Sequence, residues 1–74
     1  MTARVPQYSN ADHKKLDVYF LHLMEAVRDG VLAPDDAREE VMQCIAAIDK
    51  GDYATPLNHA HDPAGRVKGL ARLA

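Results

Sequence analysis

Apolar side chains recur every three or four residues in two stretches of the chain, which a short turn separates. In the first stretch, about residues 10–29, these side chains are Leu16, Tyr19, Phe20, Leu23, Met24 and Val27. In the second stretch, about residues 34–50, they are Ala37, Val41, Cys44, Ile45 and Ile48. Because an α-helix repeats about every 3.6 residues, this spacing places each set on one helical face. The pattern predicts two amphipathic helices, with Leu23 and Ile48 in the core.

The segment between these stretches carries the signals that end one helix and begin another. Gly30 can adopt the left-handed conformation that commonly follows a helix C-terminus. Pro34 suits the first position of a helix, where no backbone N–H is needed. Asp35 and Asp36 place negative charge near the positive end of the second helix. A connection this short favours an antiparallel two-helix hairpin.

A third, weaker helical pattern covers about residues 63–73. Asp62 and Pro63 form a start signal, in which an N-cap acid precedes a proline at the first helical position. The apolar edge of this segment consists of Val67, Leu70, Ala71 and Ala74. Gly65 and Gly69 each weaken a helix by about 1 kcal/mol relative to alanine. We therefore expect a short, marginal third helix, so the predicted fold class is all-α.

The length of 74 residues indicates a single small helical domain. Within it we expect residues 1–8 to be a flexible N-terminal arm and residues 63–74 the marginal helix. We expect residues 51–62 to be an irregular connection, in which Thr55 and Pro56 could cap and begin a single helical turn through Leu57 and Ala60. No apolar run approaches the roughly 18 residues that a membrane-spanning helix needs, and the N-terminus has no apolar signal region. The single Cys44 cannot form an intrachain disulfide, so we expect a cytoplasmic protein.

The net charge of −2 is small, but the charges are unevenly distributed. Residues 31–52 carry six acidic side chains against two basic ones, whereas residues 63–74 carry three basic side chains and no acidic one. We expect the C-terminal cations to pair with the acidic second helix, where Glu39 and Glu40 are predicted to face water. A helix that begins with two aspartates repels phosphate groups, so nucleic-acid binding by the hairpin is not expected.

Three groups of residues resemble chemical sites but lack features that such sites require. His59 and His61 could ligate zinc, yet neither a cysteine pair nor an evident fourth ligand accompanies them, so we interpret them as part of a solvated loop. Cys44 lies among apolar residues, whereas a nucleophilic thiol needs surroundings that lower its pKa. The adjacent acids of the second helix lack the burial that acid–base catalysis uses. We predict no enzymatic activity, no metal and no cofactor.

The interpretation that remains is a non-enzymatic protein that binds another protein through its helical surfaces and acts as a small regulator, inhibitor or adaptor. The alternative is a nucleic-acid-associated regulator that uses the basic C-terminal segment. The apolar positions exceed what two helices and a weak third can cover, so we also expect a homodimer. The predicted partner-binding residues are Val18, Leu21, Met42, Arg66, Lys68, Leu70 and Arg72.

Overall fold

The computed structural model describes residues 8–73, and this part of the chain is all-helical. Its four helices are α1 (Asn10–Arg28), α2 (Pro34–Asp49), α3 (Ala54–Ala60) and α4 (Pro63–Leu73). The ends of α1, α2 and α4 agree closely with the sequence prediction. For residues 51–62 the sequence predicts an irregular connection with a single helical turn from Thr55 as an option, and the structure has the seven-residue helix α3 there. Along residues 8–73, no helix combines the length and apolarity needed to cross a membrane.

Both α1 and α2 end in the same left-handed glycine motif. Gly30 has a φ of 74° and Gly51 a φ of 83°. After α1, the Val31 N–H donates to the Ala26 carbonyl at 2.8 Å, and after α2 the N–H of Asp52 donates to the carbonyl of Ala47 at the same distance. These bonds satisfy carbonyls at the helix ends that have no partner within the helix. The sequence signal at Gly30 is therefore confirmed as a helix terminator.

Helix α3 begins at a side-chain cap that the sequence analysis did not identify. The Thr55 N–H and hydroxyl donate to the two carboxylate oxygens of Asp52, at 3.2 and 2.6 Å. These bonds hold the pKa of Asp52 below its usual value. A helix of seven residues is not stable alone in water, so packing has to maintain it. Pro56 and Ala60 are buried and Leu57 packs against the core, which supplies that stabilisation.

The core is centred on α1, which contacts each of the other three helices. Its buried residues are Leu16, Tyr19, Leu23, Ala26, Leu32, Ala37, Cys44, Ala60 and Val67. The prediction for Leu23 is confirmed, but Ile48 is only partly buried. Met24 and Ile45 were assigned to the core stripes and are instead half exposed. The buried stripes are thus narrower than the sequence pattern, because only part of each apolar face meets another helix.

Tyr8 packs against the folded domain, so the predicted loose arm does not extend to this residue. Its hydroxyl donates to the carbonyl of Tyr53 at 2.9 Å. Its ring meets the Tyr53 ring edge-on, with 5.6 Å between the ring centroids. Burial raises the pKa of the Tyr8 hydroxyl. The rest of the predicted arm, residues 1–7, lies outside the described residues.

The two glycines of α4 have different surroundings, which leads to a paired stability prediction. Gly65 donates its N–H to the Asp62 carboxylate at 3.2 Å, and a Cβ at this position would lie 2.2 Å from an oxygen of that carboxylate. A Cβ at Gly69 would meet nothing within 4 Å. We expect Gly69→Ala to raise the free energy of unfolding by about 1 kcal/mol. Gly65→Ala should bring no gain, because displacing the cap costs about as much.

Urea denaturation followed by circular dichroism measures both changes. Equal stabilisation by Gly65→Ala and Gly69→Ala would show that the Asp62 cap does not contribute to the free energy of unfolding.

Candidate functional site

The described residues contain one buried acidic side chain, and it connects all four helices. Glu40 of α2 is 2% exposed. It accepts a hydrogen bond from the Tyr19 hydroxyl of α1 and two from the Arg66 guanidinium of α4, each of the latter at 3.1 Å. His59 of α3 places its Nδ1 atom 3.0 Å from Glu40 Oε1. We call Tyr19, Glu40, His59 and Arg66 the Glu40 cluster.

The position of Glu40 corrects one sequence prediction and confirms another. Glu40 was expected to face water beside Glu39, but only Glu39 is exposed. The expected pairing of a C-terminal cation with the acidic α2 is confirmed for Arg66. A signal for the burial was present in the sequence, since Glu40 lies three residues after Ala37 and four before Cys44. Residues at these spacings share a helical face, and both neighbours are buried.

Burial and charge within the Glu40 cluster favour a neutral tyrosine and a charged arginine. Burial and the hydrogen bond to Glu40 both raise the pKa of Tyr19 above its ordinary value. Burial alone would lower the pKa of Arg66, but its contacts with Tyr19 and Glu40 outweigh that effect and raise it. The two parallel bonds from Arg66 to one carboxylate are the strong, directional form of this pair. They offset the desolvation of Glu40, which would otherwise destabilise the fold.

His59 lies beside the Glu40 cluster and not in a solvated loop, so that interpretation is wrong for this residue. Its Nδ1 atom is enclosed and has no hydrogen-bond partner among the described residues. Although the distance to Glu40 is short, the ring geometry does not direct a hydrogen bond to the carboxylate, and the contact is one of proximity. His61 is exposed. Within residues 8–73, no three His, Cys, Asp or Glu side chains are arranged to hold a metal ion.

The Glu40 cluster is built to join helices, and its geometry does not suit it to bind a substrate. A reacting molecule could not contact a carboxylate that is 2% exposed unless the helices separated. Every oxygen of that carboxylate already accepts a hydrogen bond from Tyr19 or Arg66. Because α4 is short, the two bonds from Arg66 to the buried anion help to position it against α1 and α2, and His59 of α3 packs beside the same anion.

Cys44 is buried next to this cluster, as predicted, and its reactivity can be measured directly. Burial raises the pKa of its thiol, and the nearby negative charge of Glu40 raises it further. Since the thiolate is the reactive form, we expect the native protein to react slowly with a disulfide reagent at neutral pH. The same thiol should react quickly in denaturant. Fast labelling without denaturant would show that the helices around Cys44 open readily.

A second feature of the structure is a set of large apolar side chains that are between 50% and 55% exposed. These residues are Leu21, Met24, Val31, Met42 and Ile45, and we call them the exposed apolar set. Two lie on α1, two on α2 and one in the connecting turn. The sequence analysis identified Leu21 and Met42 as exposed. It missed Met24 and Ile45 because their spacing also matches the core stripes.

The predicted partner-binding residues lie in two separate parts of the fold. Leu21 and Met42 belong to the exposed apolar set on α1 and α2, and Val18 on α1 is half-buried. Lys68 and Arg72 are exposed on α4. Two other α4 residues have roles within the domain, because Leu70 packs against the core and Arg66 binds Glu40.

Charged side chains near the exposed apolar set pair within their own helices. Arg28 lies 3.8 Å from Glu25 on α1, and Arg38 lies 3.7 Å from Asp35 on α2. These ion pairs are exposed, so solvent screens them and they add little to stability. The ion pairs place charges of both signs on these helices, but the exposed acids Glu39 and Asp49 leave the surface of α2 more negative than positive.

Comparisons of the chain with protein-family models, with curated proteins and with solved structures found no significant match. The features of residues 8–73 that bear on function are the Glu40 cluster and the exposed apolar set.

Proposed function

We propose that this chain is a non-enzymatic protein-binding module, a small regulator, inhibitor or adaptor that acts through one face of an α1–α2 hairpin. The observation that carries the proposal is the exposed apolar set, five large apolar side chains that are half exposed within residues 8–73. Single exposed apolar residues are common on protein surfaces, but grouped ones are typical of interaction sites. All five lie on α1, α2 or their connecting turn.

The orientation of the two helices supports a shared face for part of this set. Tyr19 of α1 and Glu40 of α2 both point into the Glu40 cluster, where they meet α3 and α4. A helix turns by about 100° per residue, so the side chain five positions later lies about 140° around the axis. Those residues are Met24 on α1 and Ile45 on α2, and both are half exposed.

The residues four positions after Tyr19 and Glu40 are Leu23 and Cys44, and both are buried. On each helix, therefore, the face next to the Glu40 cluster is buried against a neighbouring helix, and the face further around the axis is exposed to solvent. In an antiparallel hairpin, one helix runs toward the viewer and the other away. Successive side chains therefore turn clockwise around one helix axis and anticlockwise around the other. Met24 and Ile45 then point to the same side of the domain, away from α3 and α4.

The side chains in this set suit recognition of a protein surface. Methionine is flexible and polarisable, so Met24 and Met42 can adapt to an apolar partner. The Glu40 cluster supports this role indirectly, because it holds the opposite side of the hairpin against α3 and α4. A partner would thus meet a helical face that is ordered before binding, which lowers the entropy cost of association.

Affinity capture with three forms of the chain tests the proposal. The three forms are immobilised and exposed to lysate of the source cells, with and without nuclease treatment. They are the wild-type chain, a Leu21→Glu/Met42→Glu variant and a Lys68→Glu/Arg72→Glu control. We expect the wild type and the control to retain the same protein, and the apolar-set variant to lose it by at least tenfold. All four positions are exposed, so circular dichroism should show equal helicity.

The opposite pattern would support the alternative, a nucleic-acid-associated regulator. Lys68 and Arg72 are exposed cations in a segment without acidic residues, which favours contact with phosphate. Arg66 pairs with Glu40, so two of the three predicted basic contacts remain. Retention that depends on Lys68 and Arg72 and disappears after nuclease treatment would replace the protein-binding proposal with this one.

A further inference from the structure

We infer that the partner of the proposed binding face is a basic segment of another protein, in which apolar side chains lie between lysines or arginines. The inference rests on the proposed protein-binding function and specifies the chemistry of the partner. It places the contact on the outer side of α2, where exposed apolar and acidic side chains lie next to each other.

Five exposed residues of α2 form a strip along the helix, on the side away from the Glu40 cluster. They are Glu39, Met42, Ile45, Ala46 and Asp49, and we call them the outer α2 strip. At about 100° per residue, all five lie within about 120° of one another around the axis, opposite the buried Glu40. The apolar side chains occupy the middle of the strip. An acidic residue lies at each end, and the two acids are about 15 Å apart along the axis.

The domain itself does not neutralise the two acids of the strip. Arg38 lies on the same side of α2, but it pairs with Asp35 at 3.7 Å. Within residues 8–73, neither Glu39 nor Asp49 forms an ion pair with a lysine, arginine or histidine. Helix α2 carries five acidic side chains and one basic one, whereas α1 carries three of each. The excess negative charge of these two helices therefore lies on α2.

A partner that covers the apolar middle of the strip also removes water from the acids beside it. Glu39 precedes Met42 by three residues, and Asp49 follows Ile45 by four, so each acid lies one helical turn from a large apolar side chain. Removing water from a charged group is unfavourable unless an opposite charge takes its place. A partner without cations would leave both carboxylates unpaired, whereas lysines or arginines at the ends of an apolar segment would pair with them.

The same arrangement disfavours other occupants of the strip. Phosphate backbones and acidic proteins would place like charges against its ends. A second copy of the chain would do so as well, because both ends of the strip are acidic. In an antiparallel contact centred on the strip, Glu39 of one copy approaches Asp49 of the other. In a parallel contact, each acid approaches its own equivalent.

Binding of two fluorescent synthetic peptides to the full chain tests the inference. Both peptides contain the same row of leucines, which has lysines at its two ends in one peptide and glutamates in the other. In fluorescence anisotropy at physiological ionic strength, we expect the wild type to bind the lysine peptide at least tenfold more tightly than the glutamate peptide. A Glu39→Lys/Asp49→Lys variant should reverse this preference. A Met42→Ser/Ile45→Ser variant should bind both peptides weakly.

An Asp17→Lys/Asp29→Lys variant is the matched control, because it changes the net charge equally at two exposed acids outside α2. It should still prefer the lysine peptide, and circular dichroism should show the same helicity for all forms. A wild type without a preference for the lysine peptide overturns the inference, as does a preference that the control also reverses. A wild type that sediments at twice 8.2 kDa and binds neither peptide would assign the strip to a second copy and also overturn it.

Affinity capture distinguishes failure of this inference from failure of the proposed function. A captured protein that is lost with Leu21→Glu/Met42→Glu but retained by Glu39→Lys/Asp49→Lys would refute a basic partner and leave the proposed function intact. A wild type that captures no protein and binds neither peptide would refute both.

Discussion

Replacing Glu40 with alanine is expected to lower the free energy of unfolding by about 3–5 kcal/mol, a large share of the total for so small a domain. The substitution removes the acceptor for Arg66 and Tyr19 and leaves a partly buried guanidinium without its counter-ion. The adjacent Glu39→Ala is the matched control, because Glu39 is exposed. It should change stability by less than about 0.5 kcal/mol. Urea titrations followed by circular dichroism measure both.

A double substitution distinguishes the cost of leaving one buried charge unpaired from the net contribution of the Glu40–Arg66 pair to the free energy of unfolding. Glu40→Leu combined with Arg66→Met removes both charges and restores apolar volume, and replacing a buried ion pair in this way is often close to neutral. We expect the double variant to be markedly more stable than Glu40→Ala. If Glu40→Ala and Glu39→Ala lower the free energy of unfolding by equally small amounts, the Glu40 cluster does not hold the helices together, and the role assigned to it is wrong.

Leu23→Ala is the second substitution with a large expected effect, a loss of about 2–5 kcal/mol. Leu23 is fully buried on α1, the helix that contacts the other three, so truncation leaves a cavity in the core. Met24→Ala is the control from the next position and should cost less than about 1 kcal/mol, because half of that side chain is exposed. Ile48→Ala should be intermediate, since Ile48 is partly buried.

Thermal melts and urea titrations of the three variants test this order. The comparison is best made at low protein concentration, where association through the exposed apolar set, which includes Met24, is weakest. If Met24→Ala then lowers stability as much as Leu23→Ala does, the buried face of α1 is not centred on Leu23.

The sequence by itself determined the helices whose limits depend on local chemistry. Gly30 ends α1 and Pro34 begins α2 because left-handed backbone and a missing N–H are properties of single residues. Asp62 and Pro63 mark the start of α4 for the same kind of reason. The 3.6-residue pattern also placed Leu23 in the core correctly.

Only the tertiary structure decided the roles of residues that depend on distant neighbours. Helix α3 is too short to persist alone and exists because Pro56 and Ala60 are buried against the other helices. The apolar spacing that predicts a buried Leu23 also includes Met24 and Ile45. These two side chains are half exposed because the neighbouring helices do not cover them. The spacing of Glu40 from Ala37 and Cys44 indicates its helical face, but it does not show what would balance a buried charge there. The burial of Glu40 became possible only because Arg66, 26 residues later, reaches the same point and balances its charge.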